Sequence, residues 1–376
     1  MKIKGKHYKT IWLHPENENI VQIIDQRWLP HKFVVADIRS VDEMCIAIKD
    51  MWVRGAPLIG AAAAWGMYLS AVEVPASCAR DFFFEESYGK LLKTRPTAIN
   101  LKWALDEMLK SITGNDSIIE SKWYAKKRAE WICDDDVKFN TLIGEHGLKI
   151  IEEIAAKKNN ARVNILTHCN AGWLATVDRG TATAPIYLAK EKGIDIHVYV
   201  SETRPRNQGA QLTAWELLEN DIPHTLIADN AAGHLMQNKM VDLVLVGTDR
   251  TSATCDVVNK IGTYLKALAA FDNNIPFYVA APSSSIDFNI KDAFKEIPIE
   301  ERNGDEVKYV QGLLDNKIQS VLISPKETPA SNYAFDITPA KYVTGLITER
   351  GICKAEETEI MKLFPEKFSN TKINIA

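Results

Sequence analysis

The chain has 376 residues, 46% of them hydrophobic, and carries 45 Lys and Arg against 49 Asp and Glu, a net charge of −4. That length and composition exclude a disordered chain and leave room for about two domains whose cores need no disulfide or metal staple. The slight acidity excludes an overall basic field for nucleic acid or an anionic membrane, so any anionic ligand must be caught locally.

The start, Met1 to His7, is basic but lacks a following apolar run, so no secretory signal is expected. Two strands are read at Tyr8–Leu13 and Gln22–Asp25, then helices at Val41–Met51, Ala56–Ser70, Asn100–Ser111 and Ser121–Cys133. Leu58–Val72 is the longest apolar stretch, but its 15 residues fall short of the roughly 20 that span a bilayer, so a buried helix is expected. A further helix, Val137–Lys158, leads into the second half. The expected division is a small, mostly helical domain over 1–136 and a larger one over 137–376.

In the second half short β-branched runs alternate with helix-period segments, the pattern of parallel strands with crossover helices. Strands are expected at Val163–Thr167, His197–Ser201, His224–Ala228, Val241–Val246, Phe277–Ala281 and Tyr342–Ile347, and helices at Ala171–Lys192, Ala210–Asn220 and Asn259–Asp272. The fold class is therefore α/β, a Rossmann-like parallel sheet domain behind a smaller helical one. Open sheets of this kind bind ligands outside the carboxyl ends of their strands. The exits there are polar: His168-Cys169-Asn170, Glu202-Thr203-Arg204-Pro205, Asp229-Asn230 and Thr248-Asp249-Arg250.

Among six cysteines with no C-x-x-C spacing, Cys45, Cys78, Cys133, Cys169, Cys255 and Cys353, the set reads as reduced cytoplasmic thiols rather than a zinc site or disulfide framework. Cys169 differs from the rest by lying between a strand and the helix expected from Ala171, whose N-terminus would favour a thiolate. Asp249 follows another strand, and its competing role is to cap the next turn. His168 reads as a structural hydrogen bonder. Arg54-Gly55-Ala56-Pro57 opens the apolar helix as a phosphate cradle would, Arg95 precedes a second helix, and Lys260 stands at the expected start of a third. No dinucleotide, P-loop, paired-histidine or nucleophile-elbow motif occurs, so no cofactor and no metal are expected.

The set Arg54-Gly-Ala-Pro, Arg95-Pro-Thr-Ala-Ile-Asn-Leu, His168-Cys-Asn-Ala-Gly, Glu202-Thr-Arg-Pro, Gln208-Gly-Ala, Gly247-Thr-Asp-Arg, Asn259-Lys-Ile-Gly-Thr-Tyr and Phe335-Asp-Ile-Thr-Pro resembles the S-methyl-5-thioribose-1-phosphate isomerase family from about residue 20 to 352. The resemblance implies an aldose–ketose isomerase of methionine salvage, a cytoplasmic homodimer acting on a sugar phosphate, with no nucleic acid or membrane partner. It carries Cys169 and Asp249 to the catalytic places, and Arg54, Gly55, Ala56, Arg95, Gln208, Asn259 and Lys260 to substrate binding. Gln211, Cys255 and Tyr333 depart from the family pattern, which has arginine, glycine and proline there. These departures leave open a paralogue acting on 5-deoxyribose 1-phosphate or ribose 1,5-bisphosphate. A non-catalytic regulatory module that binds sugar phosphates, as in translation-initiation exchange factors of the same superfamily, is the other reading.

Overall fold

The computed structural model describes residues 1–75, 79–95 and 99–368; Cys78 and the Pro96–Ala98 part of the second arginine motif lie outside them. Two compact units divide the chain: Met1–Thr141 with Gly172–Gly180, and Leu142–Ala171 with Thr181 onward.

The first unit has a three-stranded antiparallel sheet, Ile11–Leu13, Val21–Ile24 and Val35–Ile38, and is otherwise mostly helical. Its helices are Val41–Lys49, Ala56–Glu73, Arg80–Leu92, Ile99–Ile112 and the first part of the 40-residue Ile118–Lys157. Ser40 caps the first by accepting from the Glu43 amide, as an Ser-x-x-Glu start favours. Ala56–Glu73 is apolar all round and is buried over most of its length, the arrangement such a pattern demands. Its neighbours come close because Gly60 and Gly66 have no side chain: a Cβ on Gly60 would stand 3.1 Å from the Asn100 carbonyl, and one on Gly66 3.0 Å from Leu91. Helix Arg80–Leu92 buries a single narrow stripe, Phe84, Ser87 and Leu91, spaced three and four residues apart. Among the described residues no helix is long and apolar enough to cross a membrane.

The second unit is built on a seven-stranded sheet: β1 Val163–His168, β2 Ile196–Ser201, β3 His224–Ile227, β4 Leu243–Val246, β5 Phe277–Ala280, β6 Gly345–Thr348 and β7 Gly351–Cys353. Their order across the sheet is β7-β6-β5-β4-β1-β2-β3, all parallel except β7. Residues alternate between two apolar layers. On β1, Ile165 packs with Ile151 and Ile186 while Leu166 packs with Ala267 and Ala270, so both faces are covered. The order reverses between β1 and β4, the switch point at which doubly wound sheets open a crevice beyond the strand ends.

Two expected helices are shorter than the sequence suggested. After β1 the first α-helix is Ala184–Glu191, because 172–180 belongs to the other compact unit and Pro185 suits only a helix start. Asn259–Asp272 divides into strand Val257–Lys260 and helix Thr263–Asp272, separated by Gly262 at φ 97. Val257–Lys260 joins a second sheet of order Ile286–Asp287, Arg250–Ser252, Val257–Lys260, Phe335–Thr338. A hairpin, Tyr309–Leu314 with Lys317–Leu322, turns on Asp315 and Asn316, both left-handed as a tight two-residue hairpin loop requires.

Candidate active site

The register that pairs Leu166 with Val244 and His168 with Ser201 continues to place Cys169 level with Gly247 beyond β4 and with Glu202 beyond β2. The approach between the first pair of segments is close. A Cβ on Gly247 would lie 2.6 Å from the Ala171 Cβ, so only glycine lets the end of β4 reach the loop that carries Cys169. Asp249 follows two residues later, partly exposed, with its amide donating to the Val258 carbonyl at 3.0 Å. Cys169 and Asp249 thus leave the carboxyl ends of the two adjacent strands that flank the switch point.

Cys169 is not at a helix N-terminus, as the sequence suggested. Residues 170–183 hold only a 3₁₀ turn, Trp173–Ala175, so no helix dipole acts on the thiol there. Cys169 instead sits in the left-handed region at φ 64, with hydroxyls on both sides of it. Its N–H donates to Thr203 Oγ1 at 2.8 Å, and its carbonyl accepts from Thr213 Oγ1 at 2.6 Å. Gly209 opens the π-helical turn that carries Thr213; a Cβ there would overlap the Ser201 carbonyl at 1.8 Å.

Behind Thr203 stands a buried polar cluster. Asp229 accepts from Ser201 Oγ, from the Thr203 amide at 2.8 Å and from the Arg204 amide at 2.7 Å. Burial alone would raise its pKa, but those donors and Lys266 at 3.9 Å hold it below the ordinary carboxylate value. Lys266 is itself pushed down by burial, opposed by Asp229 and Asp336. His168 Nε2 lies 2.8 Å from the Ile261 carbonyl, which can only accept, so Nε2 carries the proton. Burial, then the charge of Lys266, lowers its pKa to about 3, and the ring is neutral at working pH.

Of the other residues singled out in this unit, Gln208 follows β2 and is buried. Asn259 and Lys260 lie on a strand rather than at a helix start; Asn259 Nδ2 donates to Thr263 Oγ1 at 3.0 Å and Lys260 Nζ to the Ala334 carbonyl at 2.7 Å. Lys260 also stands 4.7 Å over the Phe335 ring. Arg250, inside the Gly247-Thr-Asp-Arg motif, is engaged with Asp287. A cavity of ≈ 420 Å³ beside the β2 exit is lined by Arg206, Asn207, Gln211, Glu306 and Tyr309 among others. Its arginine is paired with Glu306 at 2.7 Å, so this cavity is a poor phosphate site.

In the first unit Arg54, Gly55 and Ala56 stand together at the start of the apolar helix. Gly55 adopts φ 97 and a Cβ on it would lie 2.5 Å from Ala175, so the position admits glycine alone. Arg95 stands three residues beyond the end of helix Arg80–Leu92. From sequence, Thr203 stands out only as part of a polar strand exit, and neither Thr213 nor the buried Lys266 is marked at all.

Comparison with known proteins gives the family. Residues 52–355 match the Initiation factor 2 subunit family. The chain is 57% identical over 369 residues to a methylthioribose-1-phosphate isomerase of Sinorhizobium medicae, covering 98% of this chain and 100% of that one. A protein of the same name from Desulfatibacillum aliphaticivorans is 54% identical over 367 residues, again covering 98% and 100%. Among solved structures, 5-methylthioribose 1-phosphate isomerase from Pyrococcus horikoshii superposes with a TM-score of 0.81 at 40% identity, covering 96% of this chain and 97% of that one. Translation initiation factor eIF-2B subunit delta from A. fulgidus follows at 0.78 and 38%, covering 95% and 99%. Identity sustained over nearly every residue reaches well past a shared architecture: the chain belongs to the Initiation factor 2 subunit family.

Proposed function

We propose that this chain is an aldose–ketose isomerase that converts S-methyl-5-thioribose 1-phosphate to S-methyl-5-thioribulose 1-phosphate in methionine salvage. The observation that carries the reading is the placement of Cys169 and Asp249 at the carboxyl ends of β1 and β4, on either side of the switch point. Identity of 57% over the full length of a protein named methylthioribose-1-phosphate isomerase supports catalysis.

Phosphate on the anomeric oxygen blocks spontaneous ring opening, so the bond from the anomeric carbon to the ring oxygen must break with acid assistance. Asp249 is assigned that proton. As the ring oxygen takes it, the phosphate ester oxygen stabilises the cationic carbon left behind. The hydrogen on C2 then reaches C1, either as a proton taken by Cys169 through an enol phosphate or as a hydride shift with Cys169 stabilising charge. The proton of the C2 hydroxyl leaves as the ketone forms and restores Asp249. Substrate and product are isomers with phosphate attached throughout, so the equation consumes no cofactor. Arg54, Gly55, Ala56, Arg95, Gln208, Asn259 and Lys260 are assigned to the phosphate and sugar hydroxyls by their match to the family motifs. The assignment extends to a homodimer in the cytoplasm, supported by the resemblance and by the thiols of Cys45, Cys133, Cys255 and Cys353.

The test is a side-by-side rate comparison by NMR on methylthioribose 1-phosphate, 5-deoxyribose 1-phosphate and ribose 1,5-bisphosphate. Ketose formed fastest from the methylthio substrate is expected. Saturable binding without any ketose would sink the isomerase in favour of a sensor.

A further inference from the structure

Cys169 and Thr203 both lie in the left-handed region, at φ 64 and φ 68. For a β-branched threonine that conformation is an outlier, and a glycine would occupy it without strain. Such strain persists only where the surroundings over-determine it, and here the surroundings are explicit. Asp229 takes the Thr203 and Arg204 amides and the Ser201 hydroxyl, which fixes the turn. The Thr203 hydroxyl donates to the Ser201 carbonyl at 2.9 Å and so turns its lone pairs to the Cys169 N–H. Thr213 mirrors it: its hydroxyl donates to the Cys169 carbonyl and accepts from Asn170 Nδ2 at 3.1 Å. A glycine at 203 would relieve the backbone but supply no hydroxyl.

We propose that Thr203 and Thr213 are positioning residues, a pair of hydroxyls that clamp the peptide groups on either side of Cys169 and so fix the direction of its thiol, with Asp229 setting Thr203 in place. The inference rests on the reading of Cys169 as the reacting thiol. Neither threonine is given contact with substrate. Their effect is on the orientation of a group that must meet the substrate carbon within a narrow range of distance and angle.

The experiment uses the full chain and the variants Thr203→Val, Thr213→Val, Thr203→Gly, Thr203→Ser and Thr213→Ser. Four quantities are read: kcat and KM on methylthioribose 1-phosphate, the rate of iodoacetamide alkylation at Cys169 mapped by peptide mass, and the melting temperature. The valine and glycine variants should lose about tenfold or more in kcat with KM within about threefold, and Cys169 alkylation should shift by at least about threefold. The serine variants keep the hydroxyl and should restore both. Thr203→Gly relieves the strained backbone, so it decides the matter if Thr203→Val fails to fold. Folded variants that lose only melting temperature, with kcat and alkylation unchanged, overturn the clamp. If the wild-type chain makes no ketose at all, the isomerase reading fails, and the alkylation rates still judge whether the two hydroxyls hold the thiol.

Discussion

The carboxylate of Asp336 closes the turn in front of helix Thr263–Asp272, accepting the Gly262 amide at 2.6 Å and the Tyr264 amide at 3.2 Å. Gly262 at φ 97 is what lets the chain turn there, immediately after the strand that carries Asn259 and Lys260.

Burial raises the Asp336 pKa to about 6, although the two amides and Lys266 pull the other way. A carboxyl whose pKa is higher folded than unfolded favours the folded state most when protonated. Its contribution is therefore full below about pH 4 and declines as the pH rises through 6. The melting temperature of the wild type relative to Asp336→Asn should fall by a few degrees between pH 4.5 and 7. A pH-independent difference would remove the linkage.

Cys169→Ser and Asp249→Asn should each lower kcat at least about a hundredfold while the melting temperature stays within a few degrees, as loss of acid–base function predicts. Calorimetry beside steady-state kinetics checks both halves. Near-normal turnover in both variants would end the assignment of these two roles.

Gly55→Ala should be severe. The added Cβ meets the Cα, Cβ and carbonyl of Ala175 at 2.5 Å, on top of the unfavourable φ, so urea unfolding should show a loss of about 2–4 kcal/mol. Gly114→Ala is the control: φ there is 73 but nothing lies within 4 Å, so only conformational strain of about 1 kcal/mol is expected. Equal losses at the two positions would show that the Ala175 contact does not matter.

Cys255, where the resemblance leads one to expect glycine, sits fully buried at φ 67. Cys255→Gly relieves the left-handed backbone but removes a small packed side chain. The two effects are each about 1 kcal/mol and opposed, so stability should change by less than about 1 kcal/mol. Chemical denaturation measures this. A large loss would mean that packing of the thiol against Val257 and its neighbours outweighs the strain.

Much of the sheet could be read from local pattern. β1 through β6 were each anticipated to within a few residues, because apolar, β-branched residues cluster in them and polar residues follow where the chain leaves the sheet; β4, buried on both faces, is an unbroken apolar run, while the edge strand β3 is half exposed. Those ends also marked Cys169 and Asp249. The second sheet escaped notice: Arg250–Ser252 and Val257–Lys260 are short, and Phe335–Thr338 pairs with the latter from some 75 residues away in the chain. The hairpin at 309–322 was missed as well, since its exposed strands lack clean alternation.

Sequence by itself determined the apolar periods and the chemical types gathered at strand exits, because each is set by a residue and its near neighbours. Tertiary structure alone decided that Cys169 lies left-handed between two hydroxyls instead of at a helix start. Its partners are 34 and 44 residues away in the chain, and strand order, which no local period encodes, brings them to it.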